Sequence, residues 1–423
     1  MNILFIDQNF DASNIGGAFK SNYAIIREFR KNPEFNILVI ASKATDIRTK
    51  KFSVKKIRPI LKAPSKKLNT LIKYFKINQY FSFFPILIEI KRFKPNFIIV
   101  QRDLSFSAIL AGFFKKIPVI NIIRDAMALC PKEIDTKGFK NCTNQLIKKE
   151  CWECINNWRT LRILLDDKPL GSNVTMLSSF YTLYYKIQYF FTKLYLYLIK
   201  YAYVNIVASP SMKELIEKRT KDVRVLVRRI TPVENSSIKI NSGAFDKGII
   251  DRIERSNKII LFIIPRNEGG SKGYPFVKKL LKEFPEDYLL IVVGTIFNEL
   301  TNFKNVINID KVLTKNLYYL YRKANVTIVP SIYTEAFGRV ILESIINKTP
   351  VIASAQTSAN YIFKKKNYVK VLSLKSKLWL ETIEEIINDP IKIPDTEIRT
   401  IELLFSPEEC AKELAQIIYN FKK

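Results

Sequence analysis

The chain has 423 residues, with 69 Lys and Arg against 39 Asp and Glu, giving a formal net charge of +30 at pH 7. Hydrophobic residues make up 48%, which excludes global disorder, and the length suffices for two domains with cores of their own. It contains no histidine, so a histidine base, a histidine-ligated zinc and a Ser-His-Asp triad are all excluded.

Residues 2–7 read as a buried strand that starts without a basic leader. No apolar run reaches about 18 residues without a charge, so a conventional membrane span is not expected. Five cysteines in this length do not suggest a secreted disulfide scaffold. A cytoplasmic protein is the expectation. Gly16 and Gly17 follow the first strand and precede a helix expected from about 19 to 30. By itself a glycine pair favours an ordinary βα turn over a ligand loop. Further buried parallel strands are expected at 35–41, 97–101, 119–123 and 204–209. The strand at 119–123 runs into Arg124 and Asp125, and beyond it lie Cys130, Cys142, Cys151 and Cys154. Four thiolates suit a structural zinc better than an iron–sulfur cluster, but unligated thiols and disulfides fit the spacing as well.

A polar, proline-containing stretch at 230–237 suits a linker. A second series of strands is expected at 258–264, 288–293, 306–309, 326–330 and 351–354. Strands alternating with amphipathic helices are the pattern of a doubly wound α/β architecture. The loop after 258–264 is glycine-rich and carries Arg266, Lys272 and Gly273, positive charge at a strand end. The most informative stretch is 330–354, read as a strand end, a loop with Glu335, a helix with Glu343, and another buried strand. Eight residues of helix would set the two carboxylates about 12 Å apart. The N–H groups of Ala336, Phe337 and Gly338 would open that helix between them, a ready anion site.

This run closely resembles the donor site of retaining glycosyltransferases of family 4, whose motif is E-x7-E. Glu335 and Glu343 fall on the two glutamates. The resemblance implies the GT-B fold, two Rossmann-like doubly wound domains facing across a cleft. It implies an N-terminal acceptor-side domain at 1–232 with a cysteine-bearing insert near 130–160. A C-terminal nucleotide-sugar domain would follow at 233–400, and a last helix at 401–423 would cross back to the first domain. Glu335 would then orient the donor sugar, Arg266 and Lys272-Gly273 would clamp the diphosphate, and Glu343 would hold the ribose. Gly16 and Gly17 would approach the donor phosphate and the acceptor from the other side. Two departures stand out. Arg124-Asp125 occupies a place where many relatives have His-Asp, and arginine cannot act as a base near neutral pH. Residues 355–360 replace the usual glycine pair of the phosphate pocket.

The expected activity is retaining transfer of a sugar from a nucleotide-diphosphate sugar to a hydroxyl, with a lipid-linked or surface glycan precursor as acceptor. No cofactor would be required for catalysis, and any zinc would be structural. Residues 43–76 are dense in Lys and Arg, and 180–203 interleave Tyr, Phe and Leu with Lys186, Lys193 and Lys200. Such a helix suits either an anionic membrane surface or core packing between sheets. The cytoplasmic protein would then sit peripherally on the inner face. Two competing expectations are a basic nucleic-acid-binding or DNA-glycosylating protein, drawn from the charge, and a catalytically inactive scaffold of the same fold.

Overall fold

The computed structural model describes residues 1–10, 17–44, 53–57, 80–125, 129–130, 149–151, 174–237, 243, 245–264 and 270–422. They fall into two compact units. One holds the described residues up to Ile230 together with the chain from Ala411 on; the other holds the described residues of Thr231–Cys410.

The first unit is a seven-stranded sheet in the order β3-β2-β1-β4-β5-β6-β7. Its strands are β1 (Asn2–Phe10), β2 (Asn36–Ala44), β3 (Val54–Lys56), β4 (Phe97–Gln101), β5 (Val119–Ile123), β6 (Val204–Val207) and β7 (Val225–Val227), with every pairing parallel. Parallel neighbours need crossover connections. The described ones include α1 (Gly17–Phe29), α2 (Phe83–Phe93), α3 (Ser105–Lys115), α4 (Val174–Leu198) and α5 (Pro210–Arg219). The second unit is a six-stranded parallel sheet in the order β10-β9-β8-β11-β12-β13. Here β8 is Ile259–Ile263, β9 Leu289–Val293, β10 Val306–Ile309, β11 Val326–Val329, β12 Val351–Ser354 and β13 Val369–Leu372. Its helices are α6 (Lys247–Arg255), α7 (Tyr274–Leu281), α8 (Thr314–Lys323), α9 (Arg339–Ile346), α10 (Ser376–Asn388) and α11 (Asp395–Leu404), and α12 (Pro407–Lys422) ends the chain.

Every residue of β4, β5 and β9 is buried, as strands covered on both faces require, with Gln101 and Asn121 their polar members, each hydrogen-bonded. Phe262, Leu280, Leu290, Ile328 and Trp379 join one core in the second unit. The strand order reverses between β1 and β4 in the first sheet and between β8 and β11 in the second. In open α/β sheets such switch points leave a crevice beyond the carboxyl strand ends. The fold is thus α/β, two Rossmann-like doubly wound units.

Several elements differ in detail from the sequence expectation. The edge strands β3, β7 and β13 were not anticipated, and α1 opens at Gly17 rather than 19. The stretch expected as a linker is not solvated at its start: Ile230, Thr231, Pro232 and Val233 are buried, and the Val233 N–H donates to the Phe405 carbonyl at 2.9 Å. No described helix is long and apolar enough to cross a membrane.

From Ala411 on, α12 belongs to the first unit. Glu413 pairs with Arg229, Phe421 meets Phe97 and Tyr203 edge-on at 5.1 and 4.6 Å, and Tyr419 stacks on Phe35 at 5.7 Å. Leu414 and Ile418 are fully buried. Leu414→Ala is therefore expected to lower stability by about 2–5 kcal/mol, read as a fall in the urea midpoint at unchanged slope. An unchanged midpoint would mean that this helix is only loosely attached.

Candidate active site

The crevice of the second sheet lies between the loop after β8 and the loop after β11. The two loops are joined by their backbones: the Ile332 N–H donates to the Ser271 carbonyl at 3.0 Å. Gly273 permits the approach. Its φ is +87°, and a Cβ there would sit 2.0 Å from the Pro330 carbonyl oxygen, so both the conformation and the space demand glycine. Gly273 then caps α7 and leaves Lys272 facing the second loop.

Lys272 Nζ lies 2.9 Å from Glu335 Oε1, with the two side chains 17% and 8% exposed. The Tyr333 ring sits 4.9 Å from the same ammonium, and Ser331 Oγ donates to Glu335 Oε1. Burial pulls the Lys272 ammonium down, but the Glu335 carboxylate and Tyr333 more than offset it, leaving the lysine above its ordinary value and firmly charged. Glu335 is held from behind, since its N–H donates to the Gln356 carbonyl at 3.0 Å and its backbone bridges Thr357.

That bridge corrects the helical spacing expected for the two glutamates. The helix opens at Arg339, after Gly338 in a left-handed conformation at φ +99°. Glu335, Ala336 and Phe337 belong to the preceding loop, so only Glu343 is helical. The N–H groups of Ala336, Phe337 and Gly338 donate to no acceptor among the described residues. They remain available donors beside the Lys272–Glu335 pair.

Glu343 is buried within α9. Arg339 Nε reaches its Oε1 at 2.7 Å, and the Tyr321 hydroxyl donates to Oε2 at 3.3 Å. Burial first, and then the Glu343 charge, pushes the Tyr321 phenol well up. Burial opposes the Arg339 charge, but Glu343 outweighs it and holds Arg339 above the ordinary arginine value. The segment in place of the expected glycine pair is hydroxyl-rich. Ser354 Oγ donates to the Ser331 carbonyl at 2.6 Å and Thr357 Oγ1 to the Ser354 carbonyl at 2.8 Å. Thr334 Oγ1, Ser358 Oγ and Asn360 Oδ1 are buried without a protein partner, an uncommon condition for buried polar atoms.

In the first unit, Arg124 and Asp125 lie at the carboxyl end of β5. Buried Asp7 accepts from Asn22 Nδ2 at 2.8 Å and from Gln101 Nε2 at 2.7 Å. Gln101 Oε1 in turn accepts from Arg124 Nε at 2.9 Å, and Arg124 Nη1 donates to the Ile230 carbonyl. Asp125 Oδ2 lies 4.0 Å from Arg102 Nε, where Arg102 takes a positive φ of 61°. Gly17 opens α1. Gly16, Arg266, Cys142 and Cys154 lie outside the described residues, as does most of 43–76. Cys130 and Cys151 are half-buried, and the described residues contain no group of three or more metal-ligating side chains.

Sequence reasoning misses four residues of the site: Ser331, Tyr321 and Arg339, which bond to the glutamates, and Tyr333, which lies against Lys272. Arg339 and Glu343 stand at i,i+4, a legible helical pair; Ser331 and Glu335 are also four residues apart but in a loop, where that spacing carries no signal, and the Tyr321 contact crosses between elements.

Residues 249–400, within the second unit, match a family model described as glycosyl transferases group 1. No curated protein matches the chain by sequence. Among solved structures the chain resembles sucrose-phosphate synthase from Thermosynechococcus elongatus, with a TM-score of 0.66 and 13% identity over 99% of this chain and 98% of that one. Anabaena HepE in complex with UDP and glucose gives a TM-score of 0.62 and 14% identity over 99% of this chain and 100% of that one. A UDP-N-acetylglucosamine 2-epimerase gives 0.52 and 12% over 100% and 97%. The shared property is the two-unit GT-B fold, which hosts more than one chemistry.

Removing Arg339 alone would strand the Glu343 carboxylate inside the unit. Arg339→Leu is expected to lower stability by about 3 kcal/mol, and Arg339→Leu with Glu343→Leu to recover most of that loss. Thermal melts of the two variants check this, and equal losses in both would show that the pair itself is not what stabilises α9.

Proposed function

We propose that the protein is a retaining glycosyltransferase of the family 4 type, moving a sugar from a nucleotide-diphosphate sugar to a hydroxyl of a lipid-linked or surface glycan precursor. The observation that carries this reading is the Lys272–Glu335 pair at a sheet switch point, set beside three unused backbone donors within the segment matched by the group 1 model. Epimerases share the fold, but that match favours transfer. Anabaena HepE is described in complex with UDP and with UDP-glucose, which makes a UDP-sugar the first donor to test.

In the proposed reaction the bond from the anomeric carbon to the diphosphate oxygen breaks, and its electron pair leaves with the diphosphate. The acceptor oxygen bonds to the same face of the sugar, and its proton passes to the departing phosphate oxygen. No side-chain base is needed, which suits a chain without histidine. The protein's task is electrostatic: Lys272, kept charged by Glu335, neutralises the leaving diphosphate together with Arg266, while the amides of 336–338 cradle a phosphate. Glu335 has a second carboxylate oxygen with which to orient sugar hydroxyls. Glu343, oriented by Arg339 and Tyr321, would accept from the ribose. The orphaned Thr334, Ser358 and Asn360 atoms fit a ligand rich in hydroxyls.

A thermal-shift screen over UDP-, GDP- and ADP-sugars is expected to give one responsive nucleotide, worth about 2.7 kcal/mol at a hundredfold excess over Kd. With that donor, Glu335→Gln and Lys272→Ala should each cut kcat by about a hundredfold or more while the variants stay folded at the assay temperature. No response to any sugar nucleotide would overturn the reading, and so would full activity in both variants. A thermal response without transfer or hydrolysis would identify a scaffold instead.

A further inference from the structure

The first unit carries an exposed aromatic surface that the nucleotide-sugar reading does not use. Its rings touch in sequence: Phe84 with Phe83 at 5.4 Å, Phe83 with Phe114 at 5.8 Å, Phe114 with Phe113 at 5.8 Å, Phe113 with Tyr201 at 4.8 Å, and Tyr201 with Tyr197 at 5.5 Å. The chain of contacts crosses α2, α3 and the end of α4, so the surface is continuous. It is also open to solvent, with Phe84, Phe113 and Phe114 exposed to 56, 50 and 62%. Contiguous exposed apolar surface on this scale marks an interaction site rather than scattered side chains.

The stripe on α4 identifies the partner. Its exposed described residues are Leu183, Lys186, Phe190, Lys193 and Tyr197, and half-buried Lys200 continues the series. Apolar side chains recur every seven residues at 183, 190 and 197, and lysines every seven at 186, 193 and 200, so both rows share one face. Among α2, α3 and α4 the sequence has a single acid, Glu89, and it is buried against Lys55 and Arg92. These three helices therefore offer large exposed apolar side chains beside lysines, with no exposed acid of their own among the described residues.

We infer that this α2–α3–α4 surface docks on an anionic phospholipid bilayer, with Phe84, Phe114 and Phe190 entering the headgroup–acyl boundary and the lysine row facing lipid phosphates. Aromatic and leucine side chains beside lysines are the composition that interfacial binding needs. A second copy of the chain would set lysine row against lysine row, and nucleic acid would leave the phenylalanines without an apolar environment. The inference extends the membrane expectation for 180–203 to three helices, and it does not depend on sugar transfer.

The test is flotation of the full chain with vesicles of phosphatidylglycerol and phosphatidylcholine, against phosphatidylcholine alone, at low and high salt. Binding to the anionic vesicles is expected, weakened by salt and reduced about tenfold or more by combined Phe84→Ser, Phe114→Ser and Phe190→Ser. Lys186→Gln, Lys193→Gln and Lys200→Gln should reduce it independently. Both variants should keep the wild-type melting curve and the wild-type thermal response to sugar nucleotide, which separates this surface from the donor site. The inference is overturned by wild-type protein that stays unfloated, or by variants that float like wild type. It is equally overturned if the substitutions abolish duplex-DNA binding or self-association in sedimentation while leaving flotation unchanged.

Discussion

The close approach of Gly273 to the Pro330 carbonyl is the contact on which the candidate site rests. At 2.0 Å from a notional Cβ the two loops could not meet over any other residue without moving apart. Because they do meet, a lysine placed by β8 and a glutamate placed by β11 face each other at hydrogen-bond distance, 63 residues apart in the chain. The Ile332–Ser271 backbone bond holds the same seam closed. A buried ammonium in such a place is stable only with a carboxylate beside it. Glu335 thus serves the folded state before any ligand arrives, and its geometry is set without one.

How much of this could be read in advance follows from where the information lies. Strands β4, β5, β10 and β12 are legible to the residue because each is a short, mostly apolar run rich in Ile and Val, broken at most by one polar residue. The edge strands β3 (Val-Lys-Lys) and β13 (Val-Lys-Val-Leu) are partly exposed and interrupted by lysines, and only pairing with a neighbour makes them strands. The sequence places Glu335 in a loop but expects Ala336, Phe337 and Gly338 to open the helix, whereas the helix opens only at Arg339. The actual conformation of 335–338 is imposed from outside, by the Glu335 bridge to Thr357 and by the left-handed turn at Gly338. The glutamates themselves were found through resemblance to a family. Tyr321 reaches Glu343 from 22 residues away and Tyr333 reaches Lys272 from another loop, contacts that no short window of sequence contains, while Ser331 is near Glu335 in sequence but in a loop without a period to reveal it.

The distribution of charge links the two units without any reference to their arrangement. The acids central to the interior are engaged: Glu335 with Lys272, Glu343 with Arg339, Glu89 with Lys55 and Arg92, and Asp7 with two amides. Each of these interior carboxylates neutralises a cation or accepts hydrogen bonds locally, and none contributes much to the outer field. An excess of 30 positive charges is therefore borne largely at the surface, where it acts over roughly a Debye length, about 8–10 Å at ordinary salt.

That separation gives the basic residues two different physical roles. Lys272 and Arg339 sit where the dielectric is low, so each is held at a fixed distance from a carboxylate, and exchanging either for a neutral side chain disturbs a specific site. Lys186 and Lys193 lie on the outer face of α4 and half-buried Lys200 in the turn that follows it, where individual pairings are weak and only their sum and their regular spacing matter. A lysine-rich coding bias would scatter surface lysines without regard to helix period. A seven-residue repeat in phase with Leu183, Phe190 and Tyr197 is the order that a planar anionic interface requires, since charge and apolar bulk must reach the same surface together.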